Sequence, residues 1–323
     1  MDEYIYLFGD IPTEIVMTIV SHLERVEFVV MSNVCVTWKQ IIRKSFSYHL
    51  IKKSEFISCA AKSGYLNVVQ WAREMSCLWD ELTCSNAALG GHFEVLKYAH
   101  ENGCKWNSST CDNAAIGGHL DIIIWAYQNG CRYTQRIYIN AAKGGYLNIL
   151  RWANQNGSAW ETIVCYHAAK NGHLNILIWA RENKYNWNYW TCIGAAKGGH
   201  LDVLIWSRQH GCPWSSATCY YAAKYGYLDI LQWARQNGCE WDSKTCSNAA
   251  KNGHLDILQW ARQNGCLWDT DTCAYAAKNG HLDILQWARQ NGCPWDSLTC
   301  YYATEYNHYD ILDWAIKNGC HQR

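Results

Sequence analysis

The sequence predicts an all-α fold: a long array of helix-turn-helix units preceded by a separate helical segment. Three observations predict it. An aromatic residue recurs every 27 residues from Trp71 to Trp314, without one slip of register. Inside each period, apolar residues fall at helical spacing between start and stop signals. Only three Pro interrupt the 323 residues, so helix breakers are scarce.

The repeating unit justifies each helix in turn. Between Trp241 and Cys266, Asp242 or Ser243 supplies a side-chain oxygen for the orphan N–H groups of a first helix. That helix carries Cys246, Ala249 and Ala250 as a small apolar face, and Gly253 stops it by taking the left-handed conformation. A second helix begins near His254. Leu255, Ile257, Leu258, Trp260 and Ala261 give it a broad apolar face, and Gly265 ends it. Asp256 in its first turn and Arg262 in its last suit the helix dipole. One such hairpin cannot bury its apolar face alone, whereas stacking on copies can. The period runs ten times, which assigns residues 51–323 to the array and leaves residues 1–50 as a distinct segment.

Composition narrows the function. Lys plus Arg equals Asp plus Glu, 28 of each, so no basic excess points to nucleic acid or an acidic lipid surface. The start lacks a basic region followed by an apolar run, and no stretch approaches the roughly 18 apolar residues of a membrane helix. The expectation is an intracellular protein, cytoplasmic or nuclear, monomeric on its own, with its 18 Cys reduced.

The segment NAAKNGHLDILQWARQNGC resembles the ankyrin repeat in its Ala-Ala pair, Gly-His turn, Leu-Asp-Ile-Leu second helix and closing Gly. The resemblance covers about residues 55–320. The ordinary ankyrin unit has about 33 residues, and the missing six fall between Cys266 and Cys273, where that family projects a β-hairpin finger. The resemblance therefore implies stacked helix pairs with shortened or absent hairpins, and a binding face moved onto the helices. This short Trp- and Cys-rich variety is similar to arrays of large DNA viruses of amoebae and some protists, which would place the protein in a host cell.

Residues 1–50 do not share the period. Pro12 fits a first helical turn, and Ile15, Ile19 and Leu23 share one face. The segment resembles an F-box through Ile11, Pro12, Glu14, Ile15, Ile19, Leu23, Phe28, Val34, Cys35 and Trp38. That resemblance implies docking on the Skp adaptor of a cullin-RING ubiquitin ligase, with those residues as the docking set. The alternative reading is a helical cap over the first repeat.

The recurrent chemistry-bearing residues read as packing. Sixteen Cys occupy two columns, one through Cys77, Cys104 and Cys266, the other through Cys84, Cys111 and Cys246. Ser158 and Tyr185 interrupt the first column and Tyr138 the second, and no C-x-x-C pair occurs, so buried small side chains are expected rather than metal ligands. The His column, including His92, His119, His200 and His254, accepts Tyr65, Tyr146 and Tyr227, which favours inter-repeat hydrogen bonding at the turn over zinc. Trp in every unit is expected to pack within and between repeats. No phosphate-binding or hydrolase motif is present, so no catalytic residue, metal or cofactor is assigned.

Binding is expected where the columns vary. Lys143, Lys170, Lys197 and Lys224 recur before the turn, with Lys251 and Lys278 continuing the row. Beside them stand Tyr166, His167, Tyr189, Trp190, Tyr220, Tyr221 and Tyr225. These are the target-binding candidates. The combined expectation is a non-catalytic adaptor that brings a target protein to a cullin-RING ligase. The alternative is a ligase-independent scaffold or decoy.

Overall fold

The computed structural model describes residues 53–74, 76–157 and 160–321. Among them there are twenty α-helices in ten pairs, with no strand. None is long and apolar enough to cross a membrane. The fold class read from the period is the one observed. The described chain forms two compact units, divided between residues 158 and 159.

In unit one the first helices of the pairs are α1 (Lys53–Lys62), α3 (Glu81–Gly90), α5 (Ser108–Gly117) and α7 (Arg136–Gly144). Their partners are α2 (Leu66–Glu74), α4 (Phe93–Glu101), α6 (Leu120–Gln128) and α8 (Leu147–Gln155). In unit two the first helices are α9 (Thr162–Lys170), α11 (Tyr189–Gly198), α13 (Ala217–Tyr225), α15 (Ser243–Lys251), α17 (Thr270–Lys278) and α19 (Ser297–Glu305). Their partners are α10 (Leu174–Glu182), α12 (Leu201–Gln209), α14 (Leu228–Gln236), α16 (Leu255–Gln263), α18 (Leu282–Gln290) and α20 (Tyr309–Lys317).

The caps set these boundaries. Asp242 is extended and its carboxylate accepts from the Lys244 N–H at 3.0 Å. Asp80, Asn107, Asn188 and Asp296 do the same in their units. Eight second helices end on an Asn whose amide donates to the carbonyl four residues back, as Asn264 does to Trp260 at 2.8 Å, and α12 ends on His210. The fourth pair has Thr134 in place of the capping acid, its hydroxyl accepting from the Arg136 N–H at 3.1 Å, and a neighbour holds it. Buried Asp112, on α5, accepts from the Thr134 N–H at 3.1 Å and the Thr134 hydroxyl at 2.7 Å.

Within each unit, first helices pack chiefly on first helices of adjacent pairs, while adjacent second helices meet sparingly. Side-chain size explains this. The Ala pairs, such as Ala249-Ala250, are fully buried and let backbones approach closely. Ile257 and Leu258, also fully buried, fill the space between the helices of a pair.

The turn column has a steric logic. Within each unit, the His or Tyr ring of one pair lies against the turn glycine of the pair before it: a Cβ added to Gly118 would sit 2.5 Å from the Tyr146 ring. Gly118 also has φ +84°, which disfavours any other residue. Ring-on-glycine packing between repeats is thus the visible role of this column, and it accounts for the exchange of His and Tyr.

Trp columns pair within a repeat. Trp241 and Trp260 meet edge to face at 5.7 Å, and Trp106 and Trp125 do so at 5.6 Å. Arg262 reaches forward to the next repeat, its guanidinium 4.0 Å over the Trp268 ring and donating to the Cys266 carbonyl at 2.5 Å. Arg73, Arg208, Arg235 and Arg289 repeat the arrangement. Trp179 is buried.

Candidate interaction surface

The thiols are part of the packing. Both Cys columns are buried, and among the described residues no three His, Cys, Asp or Glu side chains gather as a metal cluster. The Cys266 thiol donates to the Asp242 carbonyl at 3.4 Å, and Cys104 and Cys131 reach Asp80 and Asn107 at 3.2 Å. Each bond ties the end of a second helix to the cap of its own first helix. A hydrogen bond to Cys266 and then burial hold the Cys246 thiol well above the ordinary range, as Cys104 and burial do for Cys84. Cys165, whose companion position holds Tyr185, is pushed up to about 12 by burial. Neutral thiols of this kind are poor nucleophiles at physiological pH.

The variable residues share the outer face of the first helices, and in the two units they do different work. In unit one the column holds Asn86, Asn113 and Asn140. Their amides donate to the carbonyls of Ser58, Ser85 and Asp112 on the preceding first helix at 3.2, 3.3 and 2.9 Å. This ladder pins helix to helix and leaves no aromatic on that column. Reading variability alone missed it. The recurring Asn at a fixed place was its signal.

In unit two the same column holds His167, Gly194, Tyr221, Asn248, Tyr275 and Tyr302. Asn248 bonds within its own helix, to the Lys244 carbonyl at 2.9 Å. Tyrosine rings replace the ladder elsewhere. Gly194 lets the α9 backbone approach α11 closely, since a Cβ there would lie 2.6 Å from the Tyr166 carbonyl oxygen. The Tyr166 ring meets Trp190 edge-on at 6.1 Å and His167 at 5.0 Å. Tyr189 lies 5.4 Å from Trp190, and both are about 42% exposed. On α13, Tyr220 packs on Tyr221 at 4.7 Å, and Tyr221 stacks with the exposed Tyr225 at 6.2 Å.

Lysines interleave with these rings. The Lys197 ammonium sits 4.5 Å over the Tyr221 ring and 5.9 Å from that of Tyr166, joining α9, α11 and α13. Lys224 lies 5.5 Å over Tyr225. Lys251 lies 5.6 Å over Tyr275, and Lys278 4.8 and 4.9 Å over Tyr302 and Tyr306. Cation–π contact holds each ammonium beside its ring.

Of the expected binding residues, Tyr166, His167, Tyr189, Trp190, Lys197, Tyr220, Tyr221, Lys224 and Tyr225 come together on unit two. Lys170 ends α9 exposed beside them, and Lys143 lies exposed on α7 in unit one. Tyr275, Tyr302 and Tyr306 extend the surface; they stand at varying positions of the sequence but are not among the target-binding candidates. They occupy the columns of Tyr221 and Tyr225, so the period alone could have found them. A cleft of about 500 Å³ opens beside α15, between Tyr220, Tyr221 and Tyr275, where Ser247 and Asn248 are small.

The docking residues expected in the N-terminal segment, Ile11 to Trp38, lie outside the described residues. Comparison with protein families bears on them: the F-box domain model matches residues 8–50, a span that contains all ten. No curated protein matches the chain. The observed helix pairs are compatible with the ankyrin resemblance of the array. The chain carries an N-terminal F-box domain followed by an all-helical repeat array.

Proposed function

We propose that the protein is a non-catalytic substrate-recruiting adaptor of a cullin-RING ubiquitin ligase, its F-box docking a Skp-type adaptor and its array holding a target protein. The observation that carries this reading is the F-box match at residues 8–50 on a chain whose remainder is helical repeats. A repeat array supplies an extended surface without needing a catalytic centre. The aromatic and lysine face of unit two is the part of that surface suited to a partner: half-exposed rings give area at low entropic cost, and tethered ammoniums give charge selectivity. The protein works inside the cell, in the cytoplasm or nucleus, and in a viral setting would redirect a host ligase.

Affinity capture from host cells tests the whole reading. Full-length protein should bring down ligase subunits together with a polyubiquitinated protein, and Trp38→Ala with Pro12→Ala should lose the former while keeping the latter as unmodified protein. Capture of a partner by full-length protein with no ligase subunit would favour the ligase-independent scaffold instead.

A further inference from the structure

Within the adaptor reading, we propose that unit two recognises one kind of target segment. Lys170, Lys197, Lys224, Lys251 and Lys278 form a docking rail for an extended polyproline II stretch of a partner protein bearing an acidic residue at every third position.

The rail has a fixed period, because its lysines occupy one position of successive repeats. Packed helices lie about 8–10 Å apart. A polyproline II segment has three residues per turn and rises about 3.1 Å per residue, so every third side chain returns to the same face after about 9.3 Å. A β-strand returns to the same face after about 6.8 Å and drifts out of register within two steps. The conformations thus differ in fit to the one spacing this surface imposes.

The chemistry agrees with the spacing. Helix ends favour cations generally, yet α3 and α5 carry Leu89 and Ile116 at the rail position and fold alike. Lysine there is therefore not a requirement of the fold. The row stops at Glu305 on α19. Tyrosines on α9, α13 and α17 supply aromatic side chains of the kind on which polyproline II segments dock. The cleft beside α15 has Lys251 in its lining, together with the acidic Asp242 and Asp271. Asp242 and Asp271 lie at the opposite, N-terminal ends of α15 and α17, so an acidic segment is held to the lysine side.

Fluorescence anisotropy with the full chain tests this. The probe is a labelled (Glu-Pro-Pro)5 peptide, with three controls: the same residues with all Glu in one block, (Gln-Pro-Pro)5, and a helical peptide with Glu at every seventh position. The periodic acidic peptide should bind at least tenfold tighter than each control. Lys197→Gln with Lys224→Gln and Lys251→Gln should weaken it at least tenfold. Equal binding of the block peptide, tighter binding of the helical one, indifference to the triple substitution, or no binding by any peptide would each overturn the proposal. Skp-adaptor binding by the same triple variant reads the adaptor function separately, and loss of the peptide result alone leaves it standing.

Discussion

Thr83, Thr110, Thr218, Thr245, Thr272 and Thr299 sit just before the second Cys column, fully buried, and their hydroxyl oxygens meet no hydrogen-bond partner among the described residues. The fourth and fifth repeats hold Ile137 and Val164 there, both buried. An unpaired buried hydroxyl costs about 1–3 kcal/mol, so Thr245→Val should leave the array equally stable or stabilise it by up to about 1 kcal/mol in denaturant unfolding. The buried thiols predict a pH dependence. Cys165 ionises near 12 in the folded chain against an ordinary 9.0. Its contribution is complete below pH 9 and is lost as pH rises toward 12, because only the unfolded chain releases the proton. Stability should fall in that window by about 1.4 kcal/mol per pH unit for this thiol, and Cys165→Ala should flatten the slope by one proton. Lys184 closes α10 at φ +59°, where other repeats place Gly. Lys184→Gly should therefore stabilise unit two by about 1 kcal/mol in the same unfolding measurement.

Between helices, the contact of α9 with α11 depends on Gly194. Ala in place of Gly within a helix gains about 1 kcal/mol of propensity. At Gly194 the obstacle to a Cβ is the Tyr166 backbone, which cannot swing aside, and overpacking costs about 1–3 kcal/mol. Gly194→Ala should destabilise the chain and shift tryptophan emission as Trp190 loses the Tyr166 ring. The helices themselves were legible in the sequence because caps, Ala pairs and stop glycines repeat in register. The lysine row was legible for the same reason. What the sequence could not show was which variable positions are occupied by packing. Asn113 and Tyr221 hold one column, yet the first bonds a neighbouring backbone and the second faces water beside a lysine. Asp112 stands at a variable position and proves to hold Thr134, which caps the fourth repeat. Such roles depend on contacts 22 to 28 residues away, beyond the reach of local pattern.

Over the whole chain, two segments of different logic are joined. The array buries its Cys columns and Ala pairs and pairs its Trp edge to face in contacts that recur from repeat to repeat, and in unit two the varying positions carry exposed aromatics and lysines. The F-box domain at residues 8–50 has no share in that period. Such a division suits a protein that links a constant partner at one segment to a chosen partner at another. The most direct measurement of this account is binding of the purified full-length chain to a purified Skp-type adaptor, followed by calorimetry. The account predicts a one-to-one complex that Pro12→Ala with Trp38→Ala abolishes and that the rail substitutions leave intact. A full-length chain that folds normally and shows no heat of binding, or a complex indifferent to the double substitution, would contradict it.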